Sequence, residues 1–260
     1  MPSGFGRANL AGMNDPRAVF GFPNVWDETF RAYEPRFRAI DKLQALSSEL
    51  VSATNDHKQK LVNILNVLTQ ISTRSMTDIV ILIGNKRDAS AMKIARSMFE
   101  VDIIAGYLEK NPQEVDAYSE FSLVQTWRYM ENSERHSPGG IPPEFKKQAE
   151  AEYNRVKARF TDAKGRIWNT FSGKSIRAMA KELVRLDHYE TAYSAASDLH
   201  HMSFVGIIGH ELDWSREALD VAHGSLLQTV ASLYNVSLPA GFHEKLTVAI
   251  TEFNSVRKQS

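Results

Sequence analysis

At 260 residues the chain can bury a substantial core, and 43% hydrophobic with 24% charged residues is ordinary for a globular protein. Its 31 lysines and arginines balance 31 aspartates and glutamates, and this zero net charge argues against nucleic acid or an anionic membrane as partner. There is no cysteine, which removes disulfides, thiolate nucleophiles and cysteine metal sites.

Residues 1–24 carry glycines and prolines without sustained periodicity and read as a flexible arm, pinned at its end by Phe20, Phe22 and Trp26. The arm has no charged stretch followed by an apolar one, so no secretion signal is expected. The longest apolar run, Ile79-Val-Ile-Leu-Ile83, is far too short to span a bilayer. A bacterial cytoplasmic location without membrane association is the expectation.

From Trp26 the pattern turns helical, with Phe30, Phe37, Ile40, Leu43, Leu46 and Leu50 on one stripe. Asn55 or Asp56 is expected to cap a second helix that is apolar nearly all round and therefore central. Gly84-Asn85 stops it, and Asp88 is expected to cap a third helix through Leu108. Asn111-Pro112 restarts the chain into a fourth helix. The clearest break is Ser137-Pro-Gly-Gly-Ile-Pro-Pro143, followed by a highly charged helix over 143–164 that is expected either to keep much solvated surface or to serve as a projecting arm that pairs with another chain. A short helix from Ser175, one capped by Asp187, and two more over 213–234 and 239–256 complete the chain. The reading is all-α: a bundle of about eight helices, one domain over 25–260, with no strand.

Several motifs invite chemistry. Phe171-Ser-Gly-Lys-Ser175 lacks the earlier glycine and the preceding strand of a phosphate loop, and reads as a serine-capped helix start. His210-Glu211 has Trp214 where a zinc-protease helix would need its second histidine. Asp198-Leu-His-His201 and Asp220-Val-Ala-His223 are both Asp-x-x-His, so Asp198, His201, Asp220 and His223 could hold divalent metal in a bundle, with Glu100 or Asp78 adding carboxylates. The blander alternative is solvated acids and capping histidines, with no cofactor.

The third pattern is a polar cluster. Arg96 and Glu100 share one helix face, as do Tyr193 and Ser197, and His200 follows. Burying such groups costs several kcal/mol unless they find partners, which predicts that two distant helices meet through them. A catalytic version would use His200 as proton acceptor, Tyr193 or Ser197 as donor or nucleophile, and Arg96 to hold an anion. A structural version is a closed network that fixes helix register.

These residues carry a resemblance. Arg96-Ser-Met-Phe-Glu100, the stretch from Trp168 through Phe171-Ser-Gly-Lys-Ser-Ile-Arg-Ala-Met-Ala180, and His188-Tyr-Glu-Thr-Ala-Tyr193 leading to Ser197 and His200 resemble a widespread bacterial family catalogued only as a domain of unknown function. The likeness runs from about Leu61 to Tyr234. It implies an all-helical fold and a signature of Arg96, Glu100, Tyr193, Ser197 and His200, with no established reaction. The leading expectation is an interaction or scaffold module built around that cluster, self-associating or binding a protein through the 143–164 helix. The alternatives are a hydrolase or nuclease of bacterial defence or stress using His200, and the di-metal bundle.

Overall fold

Apolar residues at helical spacing condense into nine helices among the residues that this computed structural model describes, 23–194, 196, 197 and 213–258. They are α1 (Pro23–Thr54), α2 (Lys60–Gly84), α3 (Asp88–Lys110), α4 (Val115–His136), α5 (Pro143–Val156), α6 (Ile176–Glu182), α7 (Leu186–His188), α8 (Ser215–Ser237) and α9 (Phe242–Lys258). A single antiparallel bridge, Thr161 to Ile167, is the one extended pairing among the described residues. The all-α expectation holds.

The core forms where α8 packs on α3 and α2, and α2 packs on α1. Ala91, Ala95 and Ala105 on α3 and Ala218 and Ala222 on α8 are fully buried, and such small side chains let two helices approach closely. Around them Leu43, Leu65, Met76, Ile79, Ile103 and Leu226 exclude water. α9 closes the bundle against α1 and α8.

A second layer lies beside α3. Tyr107 on α3 meets Phe171 edge-on at 5.8 Å, and Tyr118 on α4 meets the same ring at 5.1 Å. Phe160 contacts Phe121 at 5.3 Å and Trp168 at 6.3 Å. These aromatic contacts tie α3, α4 and the 157–175 segment together. The Phe171-Ser-Gly-Lys-Ser175 turn belongs to it: Gly173 takes φ +71° against the Trp168 indole, and Lys174 pairs with Glu182 at 2.6 Å. Ser175 caps α6 by accepting the Ala178 N–H at 3.2 Å, as its sequence context predicts.

Several local expectations need correction. Asn55 and Asp56 do not cap α2; its N-cap is Gln59, with no side-chain bond. Asp88 is the first residue of α3 rather than its cap, and its carboxylate instead accepts the Trp214 backbone N–H at 2.6 Å, tethering the start of α8. α1 is kinked at Tyr33 ahead of Pro35, which leaves Phe30 largely exposed although it stacks on Phe37 at 5.6 Å. The charged helix does not stand away from the body. α5 lies along α4, with Trp127 stacked on Tyr153 at 5.5 Å and Arg155 and Arg159 converging on Glu120 at 3.3 and 2.8 Å. Asp187 lies within α7, whose N-cap is Arg185.

Candidate functional site

α3 presents Arg96 and Glu100 one turn apart, and the chain after α6 returns to them. α7 runs directly into a π-helical turn, Tyr189–Tyr193, a wide turn that is frequent at functional sites. This turn seats Tyr193 on α3. The Tyr193 hydroxyl accepts from Arg96 Nη2 at 2.7 Å and donates to Glu100 Oε1 at 2.8 Å, and Arg96 lies 3.1 Å from Glu100. The guanidinium also sits 4.7 Å from the Tyr193 ring centre, and Tyr189 stacks on the same ring at 4.5 Å. Two distant segments do meet through the predicted polar groups.

This triangle is nearly closed on itself. Burial first, and the Glu100 carboxylate second, push the Tyr193 phenol up to about 12, so it stays protonated and keeps donating. Its two hydrogen bonds join the π-helical turn to α3. Within the triangle, Arg96 Nε is buried without a hydrogen-bond partner among the described residues. Ser197 is half-buried one turn beyond Tyr193. His200, Asp198 and His201 lie outside the described residues.

The other half of the proposed metal set is accounted for differently. Asp220 pairs with the buried Arg36 at 2.9 Å and lies 3.8 Å from Arg216. His223 sits edge-on to Phe253 at 4.7 Å, and burial lowers its imidazole to about 4. Among the described residues no three His, Asp or Glu side chains gather as a metal site would require.

Beside the triangle, on the next face of α3, is a feature that sequence reasoning missed. A cleft of about 240 Å³ opens between α3, α7, α8 and α9, lined by Phe99, Asp102, Arg185, His188, Gln228 and Arg257. Asp102 is 3% exposed, and Arg185 seats its guanidinium directly on that carboxylate while reaching Gln228 at 2.8 Å. Burial pushes Asp102 up to about 7, and Arg185 opposes the rise. His188 is pushed down by burial and then by the positive charges of Arg257 and Arg185, with Asp187 opposing.

The backbone that delivers Arg185 is strained. Val184, 92% exposed, has φ +58°, a left-handed conformation that a β-branched residue rarely adopts. It ends α6 in the position where glycine is usual: the Arg185 N–H returns to Ala180 O at 2.8 Å, closing the helix end. Gly106 on α3 makes room, since a Cβ there would lie 3.2 Å from Leu183 and 3.6 Å from the Arg185 guanidinium. Strain of this kind persists where the surrounding structure holds it in place, as at functional sites.

With this geometry in place, comparison with known proteins decides the grouping. The chain matches the family of unknown function DUF5677 over residues 62–217, which includes Arg96, Glu100, Tyr193 and the Arg185–His188 segment. It belongs to that family. No curated protein and no solved structure matches it. The DUF5677 match starts within α2 and stops early in α8, so α1, most of α8 and α9, which close the cleft and the core, lie outside it. No described helix is long and apolar enough to cross a membrane.

Proposed function

We propose that this DUF5677 protein binds a small anionic ligand in the cleft between α3, α7, α8 and α9. The Arg96–Tyr193–Glu100 triangle holds the π-helical wall of that cleft in place. The observation that supports the reading is the lining itself: Arg257 and His188 face the same hollow as Arg185, and among the described residues its two carboxylates, Asp102 and Asp220, already pair with Arg185 and Arg36. A hollow of about 240 Å³ suits a phosphate, a sulfate or a short carboxylate rather than a drug-sized molecule. Guanidinium groups recognise such anions through paired N–H donors, and apolar walls from Phe99, Val221 and Phe253 strengthen the attraction by excluding water. A bacterial cytoplasm as the working compartment belongs to the same proposal.

Thermal unfolding with sulfate or phosphate, against chloride at matched ionic strength, tests it. A ligand at a hundred times its Kd stabilises the fold by about 2.7 kcal/mol, so the expected result is a saturable rise in Tm. His188→Gln and Arg257→Gln are expected to remove most of that rise. A Tm that depends on ionic strength alone, whichever anion is used, would overturn the reading.

One observation favours the interaction role as a second reading. Tyr129 is 73% and Phe145 is 50% exposed, and with Met130, Ile141 and Pro142 they line an apolar hollow where α4 gives way to α5. A second copy of the chain is the occupant we infer there. Sedimentation of the parent and of Phe145→Ser tests it: a concentration-dependent dimer in the parent, lost in the variant, supports the reading, and a parent that stays monomeric to millimolar concentration contradicts it.

A further inference from the structure

On the far side of the Arg96–Tyr193–Glu100 triangle lies a larger hollow of about 620 Å³, between α3, α4 and the chain that leads into α6. Its floor is apolar, formed by Ile104, Phe121, Phe171 and Met179, of which the last three are buried. Its rim is polar. The hydroxyls there are already committed to backbone carbonyls: Ser119 to Val115 at 3.1 Å, Ser122 to Ser119 at 2.7 Å, and Thr170 to Lys174 at 2.6 Å. Three rim groups are uncommitted. The half-buried Tyr118 hydroxyl and the exposed side-chain amides of Gln125 and Asn169 make no side-chain hydrogen bond to the described residues.

Charge narrows what could fill this space. Glu100 is the one carboxylate in the lining among the described residues, and it is already answered by Arg96 and by the Tyr193 hydroxyl. Among the described residues no other side chain of the lining carries charge at neutral pH, so a charged ligand would lose water against the apolar floor without gaining a counter-ion. A neutral ligand avoids that cost. Each rim amide offers both a donor and an acceptor, and Tyr118 adds a hydroxyl that burial keeps protonated. A ligand that satisfies them must itself donate and accept along one edge, and the apolar floor with its two phenylalanines suits a ring. The volume falls in the range of small-molecule sites and admits one or two rings.

We propose that this hollow binds a neutral, flat carboxamide or lactam ring, the chemistry shared by nicotinamide and the pyrimidine bases. The site is separate from the anion cleft and does not rest on it. Glu100, which lines this hollow and bonds Tyr193, places any ligand there beside the fastening that holds the cleft.

Calorimetric titration of the full chain with nicotinamide, uracil and nicotinate tests the proposal. Nicotinate has nearly the shape of nicotinamide but carries a charge. Saturable binding of nicotinamide or uracil is expected, with nicotinate weaker by about tenfold or more. Gln125→Leu and Asn169→Leu should each weaken the neutral ligand by about tenfold, because a polar edge is left unanswered, while Tm stays at the parent value because neither amide has a partner to lose. His188→Gln should leave the titration unchanged, which separates this site from the anion cleft. The proposal is overturned if neither neutral probe binds saturably up to about 10 mM. It is equally overturned if nicotinate binds as tightly as nicotinamide, or if both amide variants titrate like the parent.

Discussion

Arg185 reaches across from the end of α6 to the buried carboxylate of Asp102 on α3, and that one ion pair forms the floor of the anion cleft. The two residues are far apart in sequence, and neither stands out there. Breaking a buried pair by removing one partner costs more than replacing both, because the survivor keeps its desolvation penalty.

The pH dependence of stability has a definite sign at this pair. Asp102 is held at about 7 in the fold against 3.8 as a free side chain, so the fold binds its proton more tightly than the unfolded chain does. Its contribution is therefore complete below pH 3.8 and is lost as pH rises through about 7. Asp102→Asn keeps the neutral form at every pH. The stability of that variant relative to the parent should thus climb by up to about 1.4 kcal/mol per pH unit between pH 5 and 6.5, then level off above 7. Urea midpoints at four pH values check this; a difference that does not change with pH contradicts it.

His223 works in the opposite direction. Its imidazole sits at about 4 in the fold against 6.5 when free, so stability is lost as pH falls from 6.5 toward 4. His223→Phe, in the pocket beside Phe253, should flatten the acid side of the stability curve and be best tolerated at low pH. A variant whose acid unfolding midpoint matches the parent would show that another group controls acid unfolding.

The Tyr193 hydroxyl links two charged groups. Tyr193→Phe should destabilise the protein by about 1–3 kcal/mol, because Arg96 and Glu100 each lose a partner in a partly buried setting. In a double-mutant cycle with Glu100→Gln the two losses should be strongly non-additive. Additive losses would mean that the triangle does not act as a unit.

Val184 holds a left-handed backbone with almost its whole side chain in solvent. Val184→Gly removes little packing and relieves the strain, so it should raise stability by about 1 kcal/mol or leave it unchanged. A clear loss, measured by denaturant unfolding, would contradict the assignment of strain at this turn.

How much of this was legible beforehand can be judged from particular residues. The all-helical architecture followed from the period of Leu43, Leu65, Ile79 and Leu226, because burial of a stripe is the main signal that a helix writes into its sequence. The meeting of Arg96 and Glu100 with Tyr193 followed from the cost of leaving such groups unpaired. Caps were less legible: Asp88 has the composition of one, yet its carboxylate serves Trp214 from a distant element, which no local rule anticipates. The anion cleft went unread because Arg185 and Asp102 look like surface charges when taken singly. A signal did exist, since Asp102 falls inside the run from Val101 through Ile103, Ile104, Ala105 and Gly106, where a lone carboxylate demands a partner. Val184 gave no sign of a helix end, because glycine is the residue that normally announces one.

The account stands on an anion lying beside the His188 imidazole, and NMR titration of that ring in the presence of sulfate tests this most directly. Sulfate keeps its charge across the window in which histidine titrates. A bound anion offsets the positive charge of Arg257 and Arg185, so the midpoint should rise by at least about half a pH unit in saturating sulfate, and Arg257→Gln should shrink that rise. A His188 midpoint that is the same in sulfate and in chloride at equal ionic strength would contradict the account.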